Sequence, residues 1–358
     1  MAFIIRPILL LYLFSISNLV SQVLLWKSSM YDDARNPYAP SPIPYENDTI
    51  LAPHIIAVRN ALVKWDGQVF DASRHYVHGG CADFSWDAHW HRVPFEYINV
   101  LAINEPVINL NHPYDGNVFH ELIEIYAQLI SFKPVLDARP QTKVIMSSHL
   151  RHSKYFPLLA LYGLNISAIR VHYLPSEEEY IYSPYVLTSV LGDCIVLMPA
   201  MARYMRSKIA KLPSRVKNAQ KQILLYDRYN DKTRRMRYGD DIYEHMRTVF
   251  QPWNYTIVRF FGNESLKETV GMFSRSRLVL GAHGAGLVNM LFMHTNTTVV
   301  EVRPENYAVL VHEQLGTTIG LNYHVFLCGK GRAGGPIPVN PWQIVAYVKN
   351  IVLKMDAA

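Results

Sequence analysis

The chain is short of charge and of cysteine. Only 18% of its 358 residues are charged, against 50% hydrophobic. That balance excludes a disordered or heavily solvated chain and leaves enough apolar material for a sizeable core. Three cysteines, Cys81, Cys194 and Cys328, exclude a disulfide-built scaffold. They allow one disulfide and one free thiol, and spacing alone does not say which pair forms. No internal repeat and no low-complexity tract is present. The net charge of +6 fits an anionic ligand. Its basic residues are scattered and no nucleic-acid module is present, so nucleic acid is not an expected partner.

The length suggests two domains or one large one. At the start, Arg6 precedes a mostly apolar run, 7–26, closed by Lys27. About 20 apolar residues span a bilayer. Ser15, Ser17, Asn18, Ser21 and Gln22 interrupt the run, and Ser15 and Ser17 have the small-x-small spacing of a cleavage site. A signal anchor over 1–27 is the expectation, with a cleaved signal peptide as the alternative. Both place the remaining chain in the secretory lumen, as a type II membrane protein or a secreted one. Asn47, Asn165, Asn254, Asn263 and Asn296 each begin an N-x-S/T acceptor sequence, which supports that compartment. Residues 28–53 are rich in Pro, Asn, Asp and Ser and read as a stalk.

Beyond the stalk, short strand-like runs alternate with amphipathic helical stretches. Strands are expected at 100–104, 143–146, 168–172 and 194–198, and a helix at 121–130. A second series places strands at 222–228, 256–260, 278–280 and 298–302. Its helices fall at 240–250, 265–274 and 306–315, with a final helix at 342–353. This alternation predicts an α/β fold with parallel sheets and crossover helices. The basic stretch 203–220 holds the expected boundary, giving units at 54–215 and 216–340 and a C-terminal helix at 341–358.

The most informative stretch is LVLGAHGAGLVNMLFM, 278–293. A buried strand runs into Gly281, Ala282, His283, Gly284, Ala285 and Gly286, and a helix is expected to begin just after. Ligands of open parallel sheets sit at strand C-terminal ends. Backbone N–H groups at a helix start favour phosphate or diphosphate. The plain alternative is a tight packing turn. The loop has no lysine after its last glycine and is not in G-x-G-x-x-G order, which disfavours a P-loop kinase and a nicotinamide enzyme. Asn289 and Glu301 flank it. Glu301 at a strand end could accept two sugar hydroxyls, or pair with Arg303.

Arg228 closes the strand ILLYDR and Arg234, Arg235 and Arg237 follow it, and arginine forks onto phosphate oxygens. Arg228 is the strongest candidate because strand ends converge on a crevice. In the first half, Asn117 can cap a helix with His120 and Glu121 in its first turn, and both are candidate general bases. His78, Cys81, His89 and His91 match no standard zinc spacing. No D-x-D occurs, and that carboxylate pair is the usual manganese clamp of metal-dependent sugar transferases.

LVLGAHGAGLVNMLFM, the later VVEVRP, the earlier LLYDRYNDKTRRMRYGDD and the upstream GNVFHELIEIY occur in the order seen in glycosyltransferase family 61, which the chain resembles over roughly 95–320. The first segment is the specific one. The resemblance implies a GT-B architecture, two Rossmann-like domains facing across a cleft, in a lumenal, often type II, membrane protein of the Golgi or endoplasmic reticulum. It implies a UDP-sugar donor carrying N-acetylglucosamine or a pentose, a glycoprotein or polysaccharide acceptor, inversion, and no required metal or cofactor. Carried over by position, Arg228 and the loop Gly281, His283, Gly284, Ala285 and Gly286 hold the diphosphate, and Arg234 is a further candidate donor contact read from the residues alone. Asn289 flanks it, and Glu301 contacts ribose or sugar. His120 falls on the family's N-x-x-H segment, with Glu121 beside it as the second catalytic candidate. A catalytically inactive glycan-binding protein of the same fold is the alternative reading.

Overall fold

A computed structural model describes residues 54–65, 67–70, 75–76, 99–112, 114, 116–172, 179–190, 199–307, 309–331 and 334–357. The expected anchor at 1–27, the stalk at 28–53, the His78–Cys81–His89–His91 group and the strand at 194–198 with Cys194 lie outside the described residues. Among the described residues no helix is long and apolar enough to cross a membrane. Cys328 is a free, buried thiol.

The first sheet holds β1 (His54–Lys64), β2 (Val69–Phe70), β3 (His75–Tyr76), β4 (Asn99–Ala102), β5 (Val107–Asn109), β6 (Lys143–Ile145), β7 (Arg170–His172) and β8 (Glu179–Val190). Their order is β3-β2-β1-β8-β5-β6-β7, with β4 also on β8. Strands β5, β6 and β7 run parallel to one another, and β5 runs parallel to β8. β1 is antiparallel to β8 from His54 opposite Val190 to Lys64 opposite Tyr180. The sheet is therefore mixed, where strand–helix alternation had predicted parallel strands alone. The pairing joins segments far apart in sequence, with no tight turn between them to announce it.

The second sheet is parallel as expected, with one strand more than the four read from the sequence. β9 (Gln220–Tyr226), β10 (Thr256–Arg259), β11 (Ser276–Ala282), β12 (Thr298–Pro304) and β13 (Asn322–Cys328) lie in the order β10-β9-β11-β12-β13, all parallel. Its strands are near-continuous apolar runs because both faces are covered. Ile223, Leu225, Leu278, Leu280, Val300 and Val302 pack under the helices Gly239–Phe250 and Pro341–Ala357. Leu224, Val279 and Val299 face the other way, towards the helix Leu266–Arg275 and the segment Ala285–Phe292. Ser265 and Glu268 form a reciprocal capping box that fixes the start of the first of these.

The second core is shared. Phe119, Leu122 and Tyr126 from a helix over 118–131, and Met201, Met205 and Ile209 from the helix Pro199–Ile209, enter the same cluster as Leu287 and Phe292. Arg206 donates to the Leu291 carbonyl, and Arg215 to those of Phe292 at 3.3 Å and Met293 at 3.2 Å. The basic stretch 203–220 thus binds the first half to the buried segment that follows the glycine loop. The helix expected at 306–315 begins later, at Val311–Thr318. Tyr307 N–H closes a turn on Pro304, and Asn306 exchanges hydrogen bonds with the Gly331 backbone, which keeps Asn306 and Tyr307 out of the helix.

Candidate active site

The strand order β10-β9-β11-β12-β13 reverses direction between β9 and β11, and ligands of open α/β sheets bind at such switch points. Arg228 follows β9, and the glycine loop follows β11. The loop's geometry answers why its residues are small. A Cβ on Gly281 would lie 2.3 Å from Leu287 Cδ2, one on Gly284 would lie 1.9 Å from an Arg228 guanidinium nitrogen, and one on Gly286 would lie 2.5 Å from the Tyr226 hydroxyl. Protein side chains occupy that space. Gly281 serves strand packing, whereas Gly284 lets the Arg228 guanidinium rest against the loop backbone. The expected helix start is a 3₁₀ segment, Ala285–Phe292, with half-buried Ala285 as its first residue. The Tyr226 hydroxyl lies directly against the Gly286 backbone.

The arginines are held before any ligand arrives. Arg228 is buried, with Nε 3.0 Å from the Thr233 carbonyl and 3.1 Å from Asp231. Arg234 is half-buried and stands over the Tyr307 ring. Both have left-handed backbones, at φ 60° and φ 54°, which is uncommon for non-glycine residues and concentrates at functional sites. The loop is pinned by Met236 N–H on Asp227, Arg234 N–H on Gly334 and Arg237 N–H on Ile337. Arg235 and Arg237 are exposed, and Arg235 lies against Tyr229.

His283 is buried and bonds through Nδ1 to Glu301 Oε1. Glu301 is fully buried. Its other oxygen accepts from the Tyr323 hydroxyl at 3.1 Å and lies 3.7 Å from Arg303. The carboxylate expected to meet a sugar thus faces His283, and the pairing with Arg303 weighed as its alternative is present. Asn289 also works inwards. Its amide donates to the Gly286 carbonyl at 2.9 Å and accepts from the Tyr155 hydroxyl at 2.8 Å, joining the loop to the first half. Tyr307 stands edge-on to His283 at 4.6 Å.

In the first half, Asn117 caps the helix as expected by accepting from Phe119 N–H. The helix then widens into a π-helical turn over Glu121–Ile125, a distortion frequent at functional sites. His120 Nδ1 lies 2.8 Å from Glu124 Oε2, and His112 Nε2 lies 2.8 Å from the same oxygen. Burial alone would push the Glu124 carboxyl up. The hydrogen bonds from the two histidines, aided by their charge whenever they are protonated, outweigh it and hold the group down at about 2. Glu124 is therefore an ionised partner that fixes His120 with Nδ1–H donating and Nε2 left to accept a proton. Glu121 has a different environment. It accepts from the Tyr126 hydroxyl and bonds Ser153, and burial raises its carboxyl. Tyr114 stacks over His120 at 5.1 Å.

The two histidine–glutamate pairs converge. Phe119 lies 5.7 Å from His120 and 5.3 Å from His312, whose ring is 5.0 Å from His283. Sequence reading missed Glu124, His112, Tyr307 and His312. Glu124 had a signal, four residues after His120 on one helix. His112 and His312 had none, since only the fold brings them to the site.

Among the described residues, two groups have the ligand types of a metal centre: His112, His120 and Glu124, and His283, Glu301 and His312. The first does not fit one. His112 Nδ1 accepts the Tyr114 N–H at 3.1 Å, so its proton sits on Nε2, the nitrogen that would have to ligate. At the second, Arg228, Arg234 and Arg303 all act on His312, and their charge repels a cation.

The glycosyltransferase 61 family model matches residues 168–300. The match runs from β7 to within β12 and takes in Arg228, His283 and the whole glycine loop. It ends one residue before Glu301. The chain resembles this family, which implies a glycosyltransferase with a nucleotide-sugar donor and a glycan acceptor. No curated protein matches the chain.

Proposed function

We propose that the protein is an inverting, metal-independent glycosyltransferase that moves a sugar from a UDP-sugar to a hydroxyl of a glycoprotein or polysaccharide. The observation that carries this is the convergence of two unlike histidine–glutamate pairs, one against arginines at strand ends and one on the facing helix. In this reading the units 54–215 and 216–340 are the two Rossmann-like halves of a GT-B enzyme, with the mixed sheet as a decorated first half. N-acetylglucosamine or a pentose is the expected cargo, from the family resemblance.

His120 Nε2 takes the proton of the acceptor hydroxyl, and Glu124 balances the resulting imidazolium. The acceptor oxygen attacks the anomeric carbon from the face opposite the diphosphate. The bond from that carbon to the diphosphate oxygen breaks, and the pair of electrons leaves with the nucleotide. Arg228 and Arg234 meet the charge that develops there, while His283, held on Glu301 through Nδ1, fixes the loop beside them. Fixed cations in a site of low dielectric supply the stabilisation a metal ion gives elsewhere. No step in this reaction needs a redox cofactor.

A lumenal, type II, membrane-anchored enzyme is the proposed setting, from the apolar run 7–26. The acceptor asparagines Asn165, Asn254, Asn263 and Asn296 are all exposed, as N-glycosylation requires. Calorimetric titration of the full chain with UDP, GDP and their sugars, with and without EDTA, tests the donor site. UDP binding unchanged by EDTA is the expected result. Absence of nucleotide binding in both conditions removes the donor site and leaves the inactive glycan-binding reading.

A further inference from the structure

We propose that His312 contacts the transferred sugar of the donor and sets which sugar the protein accepts. This rests on the transferase reading and adds a residue to it. His312 is the second residue of the helix Val311–Thr318 and is 4% exposed. Neither ring nitrogen has a hydrogen-bond partner among the described residues. The nearest carboxylate oxygen, Glu301 Oε1, is 4.0 Å from Nδ1, beyond hydrogen-bond reach, and is already taken by His283. Leaving a buried polar group unbonded costs about 1–3 kcal/mol, so such a group calls for a partner that the chain itself does not provide.

Position says which partner. In an inverting transfer the sugar lies between the base and the leaving diphosphate. His312 occupies that interval, edge-on to His283 on one side and against Phe119 on the other, with His120 beyond Phe119. Its charge agrees. Burial, then His283, Arg234, Arg303 and Arg228, push its pKa well below the usual histidine range. A neutral ring presents one donor and one acceptor. That suits a sugar hydroxyl pair or an acetamido group, while the diphosphate is left to the arginines.

Sites that hydrogen-bond a substrate group discriminate strongly against analogues lacking it. His312→Phe keeps the ring and the packing but removes both polar atoms, and His312→Gln keeps one donor and one acceptor. Each variant is titrated with UDP and with a panel of UDP-hexoses, UDP-N-acetylhexosamines and UDP-pentoses. His312→Phe should fold at least as stably as the parent, because it removes an unsatisfied polar group. UDP affinity should stay within about threefold, the preferred UDP-sugar should weaken about tenfold or more, and the preference among sugars should flatten. His312→Gln should restore part of both losses. Equal weakening of UDP and UDP-sugar, or an unchanged preference, overturns the assignment while the transferase reading stands. A parent protein that binds no UDP overturns both.

Discussion

The protein builds the same chemical pair twice and surrounds each differently. His120–Glu124 sits on one helix, and the same carboxylate oxygen meets a second imidazole from His112. His283–Glu301 is assembled from neighbouring parallel strands, His283 just past the end of β11 and Glu301 in the middle of β12 rather than at the strand end expected for it, with Arg228, Arg234 and Arg303 close by. A histidine–carboxylate pair has no fixed task, and its neighbours decide it. With a second imidazole and the Tyr114 ring beside it, the first pair can gather a proton and balance the charge locally. Cations crowd the second, which suits it to hold anionic groups. One fold can thus obtain a base and an anion clamp from the same two residue types, by placing one on a helix and one at a sheet's switch point.

Removing the base should break this comparison most severely. His120→Ala should lower turnover about 10²- to 10⁴-fold with donor binding retained, the usual range for a general base. Steady-state kinetics with calorimetry of UDP separates the two. A variant that loses UDP binding and turnover together moves His120 to the donor side. At the other pair the pattern should invert. Arg228→Ala should weaken UDP binding about 10- to 100-fold, as expected for one charge-assisted hydrogen bond, His283→Ala should weaken it by loosening the loop, and each should cut turnover by at least an order of magnitude. Unchanged binding and turnover in both would remove the donor site.

How far these pairs could be read in advance differs in the same way. The parallel strands β9 to β12 announced themselves as short apolar runs, and the glycine loop was visible because small residues cluster after one of them. His120, Arg228 and His283 followed from that frame. The half-exposed edge strand β13 lacked a continuous apolar run, and β1 meets β8 across a long interval of chain. Glu124 could have been read from its spacing to His120, since both lie on one helix. Tyr226 under Gly286 and His312 beside His283 could not, because each contact exists only after the sheet and the helix Val311–Thr318 are in place. Glu301 was identified by position, but its direction, inward to His283, depends on tertiary packing.

Acid titration gives a smaller signal that belongs to the first pair. The Glu124 carboxyl is lowered from its ordinary 4.5 to about 2. Its contribution is complete above about pH 4.5 and is lost as pH falls towards 2, an effect on the order of a few kcal/mol. Glu121 works in the opposite sense, because burial raises it and so favours the folded state at low pH. Thermal melts across this window should show a steeper acid loss in the parent than in Glu124→Gln. Parallel acid limbs would mean that Glu124 is not held ionised by the two histidines.

The glycines offer the finest division, because two neighbours in one loop make room for different things. A methyl on Gly281 meets Leu287 inside the core, so Gly281→Ala should cost about 1–3 kcal/mol of stability by overpacking. A methyl on Gly284 meets only the far end of the Arg228 side chain, which can swing aside with little loss of core packing. Gly284→Ala should therefore melt within a few degrees of the parent, a change of about 1 kcal/mol or less, and still weaken UDP binding by displacing the guanidinium. Gly281→Ala should show the reverse, lower stability with nearly intact affinity in the folded fraction. If Gly284→Ala keeps full UDP affinity, the loop's small residues serve packing alone, and the diphosphate must be held without Arg228 resting on the loop.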